Sequence, residues 1–115
     1  MPNFTKRSYK KELLDSDDIL FEDIKKNMQE LDVINTRLGG HAITIAGLSI
    51  LLKNNNRKTT INICEIGCGG GDNLRVLKKW CHSKNISATF TGIDINTHCI
   101  AFAKSRALNE GVHFI

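Results

Sequence analysis

The stretch that most limits what this chain can fold into is residues 61–74, Ile-Asn-Ile-Cys-Glu-Ile-Gly-Cys-Gly-Gly-Gly-Asp-Asn-Leu. Its first half is β-branched and apolar, which is a strand signal. It passes through Glu65 into three alternate glycines, Gly67, Gly69 and Gly71, and a helical pattern follows at once. Strand, glycine turn and helix together form a ligand-binding loop. Glycine lets backbone approach a ligand closely, and the helix start offers unpaired N–H groups and the positive end of its dipole.

The residues around the glycines separate the candidate ligands. A dinucleotide loop requires G-x-G-x-x-G, and the sixth position counted from Gly67 is Asp72. A phosphate loop requires Gly-Lys before a hydroxyl residue, and the chain has no Gly-Lys pair. An acidic Asp72 would also repel a pyrophosphate. What stands here is E-x-G-x-G-x-G, from Glu65 to Gly71. Residues 88–94 read as the next strand and end in Asp94, 27 positions after Gly67. An acid at the tip of the second strand of a doubly wound fold binds ribose hydroxyls.

This pair of features resembles motif I and the following acidic strand end of the class I S-adenosylmethionine (SAM)-dependent methyltransferases. The likeness covers residues 38–115 well and the leading helix less closely. It implies S-adenosyl-L-methionine as cofactor, a cationic sulfonium with an amino-acid end that suits a carboxylate such as Glu65. It also implies a pocket shaped by the backbone of Gly67, Cys68, Gly69 and Gly71, with Asp94 on the ribose and Ile95 against the adenine. The expected activity is methyl transfer to an acceptor, with bacterial small-molecule methyltransferases as the nearest pattern. No catalytic base can be assigned. Two rival readings remain. One is a non-catalytic interaction module on a truncated methyltransferase fold; the other is an NAD-dependent dehydrogenase, disfavoured by the missing third dinucleotide glycine.

The rest of the chain is read around that loop. Residues 1–58 are expected to form an N-terminal arm and two helices, and residues 59–115 the β-α-β-α-β start of the cofactor-binding unit. The expected class is α/β, a Rossmann-like parallel sheet of which only the first half is present, with right-handed crossovers. The family's later strands hold most acceptor-binding groups. The chain is therefore expected to be an N-terminal portion of a longer protein, or else one completed by a partner or by dimerisation. Its first strand would then show an unpaired edge.

Lys6, Arg7, Lys10 and Lys11 mark a solvated arm, with a lid carrying Tyr9 as the sharper alternative. The acidic run 15–18 is expected to cap the first helix. Phe21, Ile24, Met28, Leu31, Ile34 and Leu38 form its apolar stripe, and Gly39-Gly40 ends it. Residues 41–52 are apolar on most sides and should be largely buried, with Asn54–Asn56, Arg57 and Lys58 in a loop after them. His41 is expected to be exposed at that helix start, the alternative being a place at the cofactor mouth. Residues 72–83 form a helix with Leu74, Leu77, Trp80 and Cys81 inward, Arg75, Lys78 and Lys79 outward, and Asp72 as its cap. Asn96 caps a helix over 97–108, with Ile100, Ala101, Lys104 and Leu108 on one face. A third strand begins at Val112.

The net charge of +4 is spread over both halves, ten basic against eight acidic groups in residues 1–58 and six against four in 59–115. That argues against a nucleic-acid surface. No apolar run reaches the ~18–20 residues of a membrane span, and the first seven residues lack an apolar signal core. A cytoplasmic protein with no membrane partner is expected. The four cysteines include no C-x-x-C pair. A zinc set of Cys64, Cys68, His82 and Cys99 can be written down but lacks knuckle spacing, so free thiols and no metal are expected.

Overall fold

The protein, as a computed structural model, is described over residues 4–10, 12, 16, 18–53 and 59–115. Lys11, Asp15, Asp17 and the loop expected over 54–58 lie outside the described residues. The elements are α1 (Phe21–Leu38), α2 (Gly40–Leu51), β1 (Ile61–Ile66), α3 (Asp72–Ser83), β2 (Ala88–Ile93), α4 (Thr97–Ser105), a 3-10 turn (Ala107–Asn109) and β3 (His113–Phe114). The strands form one parallel sheet in the order β1-β2-β3, with Ile61 opposite Ala88 and Thr91 opposite His113. This is an α/β arrangement in which helices carry the crossovers between parallel neighbours. Among the described residues β1 pairs with β2 alone. Among the described residues no helix is long and apolar enough to cross a membrane.

Strand alternation sends Ile61, Ile63 and Glu65 to one face and exposes Asn62, Cys64 and Ile66 on the other. The first face is the helical one. Ile63, Phe90 and Phe114 pack there with Leu74, Leu77 and Cys81 of α3, Ile45 and Leu48 of α2 and Ala103 of α4. A second cluster joins Ile24 and Met28 of α1 to Cys99 and Phe102 of α4.

Several expectations are corrected here. Of the run 15–18, the described Ser16 and Asp18 do not cap α1: its N-cap is Leu20, with no side-chain cap, and Asp18 lies before the first turn. Only the front of the α1 stripe is covered. Leu31, Ile34 and Leu38 are exposed, and the inward line runs Ile24, Met28, Asp32, Asn35 instead. Those spacings of 4, 4 and 3 are as helical as the apolar ones. The line turns polar because α1 passes from α4 onto α2 and α3. α2 is less buried than its composition implies. Ile45 and Leu48 face the core while Ile43, Ile50 and Leu51 are exposed, because α2 flanks the sheet and touches neighbours on one side. The fourth helix stops at Ser105 and turns through a 3-10 segment, and its covered face is Cys99, Phe102 and Ala103. Ala101, Lys104 and Leu108 are exposed. Asn96 does cap it, its side chain accepting from the N–H groups of His98 and Cys99.

Candidate functional site

The carboxyl end of β1 turns sharply into α3. Gly67 and Cys68 N–H donate to Ile93 O at 2.7 and 3.0 Å, which ties the loop to the end of β2. Gly67 (φ 76°) has no atom within 4 Å of where a Cβ would stand, so its side is open. Gly71 (φ 75°) is buried, and a Cβ there would lie 2.6 Å from Phe114 Cζ. The loop thus uses one glycine for access and another for packing. Above it lies a cleft of about 470 Å³. Its walls include Glu65, Gly67, Cys68, Gly69 and Asp94, together with Met28 and Asn35 of α1 and His41 of α2. Such a volume accommodates a small ligand.

The structure therefore brings together five of the seven residues singled out from sequence. Gly71 supports the loop from below. Ile95 is 88% exposed and lies outside the cleft lining. Asp94 stands at the end of β2 with both oxygens engaged. Oδ2 accepts from Gly69 N–H and Oδ1 from Asn96 N–H, each at 2.8 Å. Each oxygen keeps a second lone pair for a hydroxyl donor. Tyr9, the suggested lid contact, is exposed, and Glu12 is the described arm residue at the cleft.

Glu65 is held differently. Its Oε1 accepts from Asn73 Nδ2 at 2.9 Å, while Oε2 is buried without a hydrogen-bond partner among the described residues. Burial pushes its carboxyl above the ordinary range, the nearby Asp72 adds to this, and Asn73 and His41 oppose it. Buried acceptors are nearly always satisfied, so Oε2 marks a place for a donor.

His41 overturns the expected exposure. It is 7% exposed, with Nδ1 3.3 Å from Asn73 Oδ1. Because the Asn73 NH2 is committed to Glu65, its carbonyl oxygen faces His41, and Nδ1–H is the donor. The other nitrogen, Nε2, lies 3.5 Å from Asp72 Oδ2 and 3.7 Å from Asp32 Oδ1. Asp72 is not the α3 cap. Gly71 takes that position, and Asp72 Oδ2 accepts from Asn35 Nδ2 at 3.2 Å.

Arg75 is also corrected, from outward to buried. Its Nη2 donates to both oxygens of Asp32 at 2.8 and 2.7 Å, and Arg106 Nη1 reaches Oδ2 at 3.3 Å. Burial pushes the Asp32 carboxyl up, but the two guanidinium groups outweigh it and hold the carboxyl below its usual 3.8. The depressed acid contributes stability that is complete above pH 3.8 and is lost as pH falls through the lower folded value. Acid unfolding followed by circular dichroism should therefore steepen below pH 3.8, and that component should be missing from Asp32→Asn.

The donor atoms of Asp32, His41 and Asp72 lie within 4.8 Å of one another. Arg75 and Arg106 already pair with Asp32, so a cation there would compete with two guanidinium groups. The cysteines form no such group among the described residues. Burial, followed by Asp94 and Glu65, pushes the Cys68 thiol up to about 12, and burial with Asp94 pushes Cys99 up to about 11. Both stay protonated at neutral pH and are poor nucleophiles or ligands.

Sequence reasoning missed Asn35, Asp32, Asn73 and Arg75. The one signal for the first two was their helical spacing behind Ile24 and Met28. Asn73 carried no periodic mark.

Comparison with family models, curated proteins and solved structures found no match for this chain.

Proposed function

We propose that the cleft binds S-adenosyl-L-methionine and that this chain is the cofactor-binding part of a class I, Rossmann-like methyltransferase with a small-molecule acceptor. The observation that carries the reading is the buried Oε2 of Glu65, which has no partner among the described residues and lies beside an open glycine loop. A carboxylate oxygen in that position calls for a cationic donor, and an amino-acid ammonium supplies one. Asp94, one strand away, keeps acceptor capacity for a ribose diol. Ile95 offers an exposed apolar face beside it for an adenine.

The cofactor supplies an electrophilic methyl on a sulfonium, leaving as a neutral thioether when a nucleophile takes the methyl in line. This chain's residues would contribute holding and alignment, which is the main demand of such a transfer. Glu65 fixes the ammonium end, the Gly67–Gly69 backbone allows close approach, and Asp94 fixes the sugar.

The acidic lining opposes a dinucleotide. Glu65, Asp72 and Asp94 all border the cleft, and a pyrophosphate there would meet like charge. Thermal unfolding with added ligand tests the choice. S-Adenosylhomocysteine at about 100 times its Kd should stabilise by ~2.7 kcal/mol, while NAD should leave Tm unchanged. A rise with NAD and none with S-adenosylhomocysteine would reverse the assignment.

A further inference from the structure

The hydrogen bonds around Glu65 form a directed chain. Asn73 Nδ2 donates to Glu65 Oε1 at 2.9 Å, and His41 Nδ1 lies 3.3 Å from Asn73 Oδ1, in reach to donate to it when protonated. An asparagine amide can turn over, exchanging its oxygen for its nitrogen. With its NH2 given to the Glu65 carboxylate, Asn73 has only its oxygen left for His41, and a proton on Nδ1 completes the pair. His41 is itself constrained. Its ring is buried, with Nε2 between Asp72 of α3 and Asp32 of α1. Asp32 is in turn anchored by Arg75 and Arg106.

We propose that His41 is a positioning residue for Glu65: by fixing the Asn73 amide it keeps Oε1 occupied and leaves Oε2 as the oxygen open to a further donor. This rests on reading the cleft as the site of a cationic, amino-acid-bearing ligand. It gives the α1–α2 joint a role in binding. The turn at Gly39 and Gly40 starts α2 where His41 meets Asn73, and a Cβ at Gly40 would lie 2.9 Å from Asn35 Oδ1.

The groups that set the Glu65 charge are Asn73 and Asp72 on α3 and His41 on α2, apart from burial itself. Losing His41 removes one opposing influence and releases the amide that supplies the other, so the ionised form becomes harder to reach.

Carbon-13 NMR of the Glu65 carboxyl, followed across pH, tests this directly in the parent, His41→Ala and His41→Asn. Asparagine places an amide donor near where the histidine Nδ1 stood. The expected midpoint rises by about one pH unit in His41→Ala, with at least about half of that recovered in His41→Asn. Calorimetric titration with S-adenosylhomocysteine gives the second readout. His41→Ala should weaken binding about tenfold in the parent and less than about threefold once Glu65→Gln is present. An unmoved midpoint in a folded His41→Ala overturns the proposal. So does a binding loss of equal size with and without Glu65→Gln, which would mean that His41 acts without Glu65. A parent that binds no S-adenosylhomocysteine but shows the midpoint shift sinks the cofactor reading alone, and the positioning role stands.

Discussion

Asp32→Ala should lower Tm by roughly 10–20 °C. The side chain stands where four elements meet. It receives Arg75 from α3 at 2.7 Å and Arg106 from the segment after α4 at 3.3 Å, and faces His41 of α2 at 3.7 Å. The partners are largely out of water, the side chains of Asp32, Arg75 and Arg106 being 14%, 11% and 20% exposed. Removing one member of such a set costs more than the pair is worth, because a desolvated charge is left uncompensated. About 3 kcal/mol is the low end of that range, chosen because some water reaches each group. Against a total stability of ~5–15 kcal/mol this is a large fraction. Thermal unfolding followed by circular dichroism measures it. A fall of under about 3 °C would mean that solvent replaces the bridges at little cost.

Gly71→Ala is the second large effect, about 3–4 kcal/mol of lost stability, measured by urea unfolding. Two causes add. The position has φ 75°, where an L-residue costs ~1–2 kcal/mol. A Cβ there would also lie 2.6 Å from Phe114 Cζ, 2.8 Å from Cε1 and 3.0 Å from Asn109 Nδ2. Neither neighbour can yield easily. Phe114 is buried and also lies close to Gly92, where a Cβ would be 2.8 Å from its ring. Asn109 Nδ2 bridges Gly70 O and Ala103 O at 3.0 and 2.9 Å, which ties the loop to the end of α4. Gly67→Ala makes the control. Its φ is 76° but no atom lies within 4 Å, so it should lose only the conformational ~1–2 kcal/mol. Equal losses at both positions would show that backbone strain alone sets the cost.

Much of this fold was legible because local signals agreed with each other. The run 61–66 alternates cleanly, Asn96 sits where a cap is needed, and α3 begins and ends where its pattern does. The loop glycines and both carboxylates were readable too, since their chemistry depends on spacing along the chain. What escaped was decided by tertiary contact. Asp32, Asn35 and Arg75 look like solvent-facing polar residues until α1, α2 and α3 are laid against one another. Then each finds a charge or amide that burial requires. His41 read as exposed for the same reason, its partners being 32 residues away at Asn73 and nine away at Asp32. The apolar face of α2 carried the opposite message. Its composition promised burial, but periodicity cannot say which neighbours exist to cover a helix.

The most direct test of the central claim is calorimetric titration of this chain with S-adenosylhomocysteine, beside Glu65→Gln. The substitution keeps an acceptor for Asn73 and replaces the second carboxylate oxygen with an uncharged amide nitrogen. One-site binding by the parent is expected, with at least about tenfold weaker binding by the variant because a charge-assisted hydrogen bond is lost. No binding by a folded parent, or equal affinity in the two proteins, would contradict the claim.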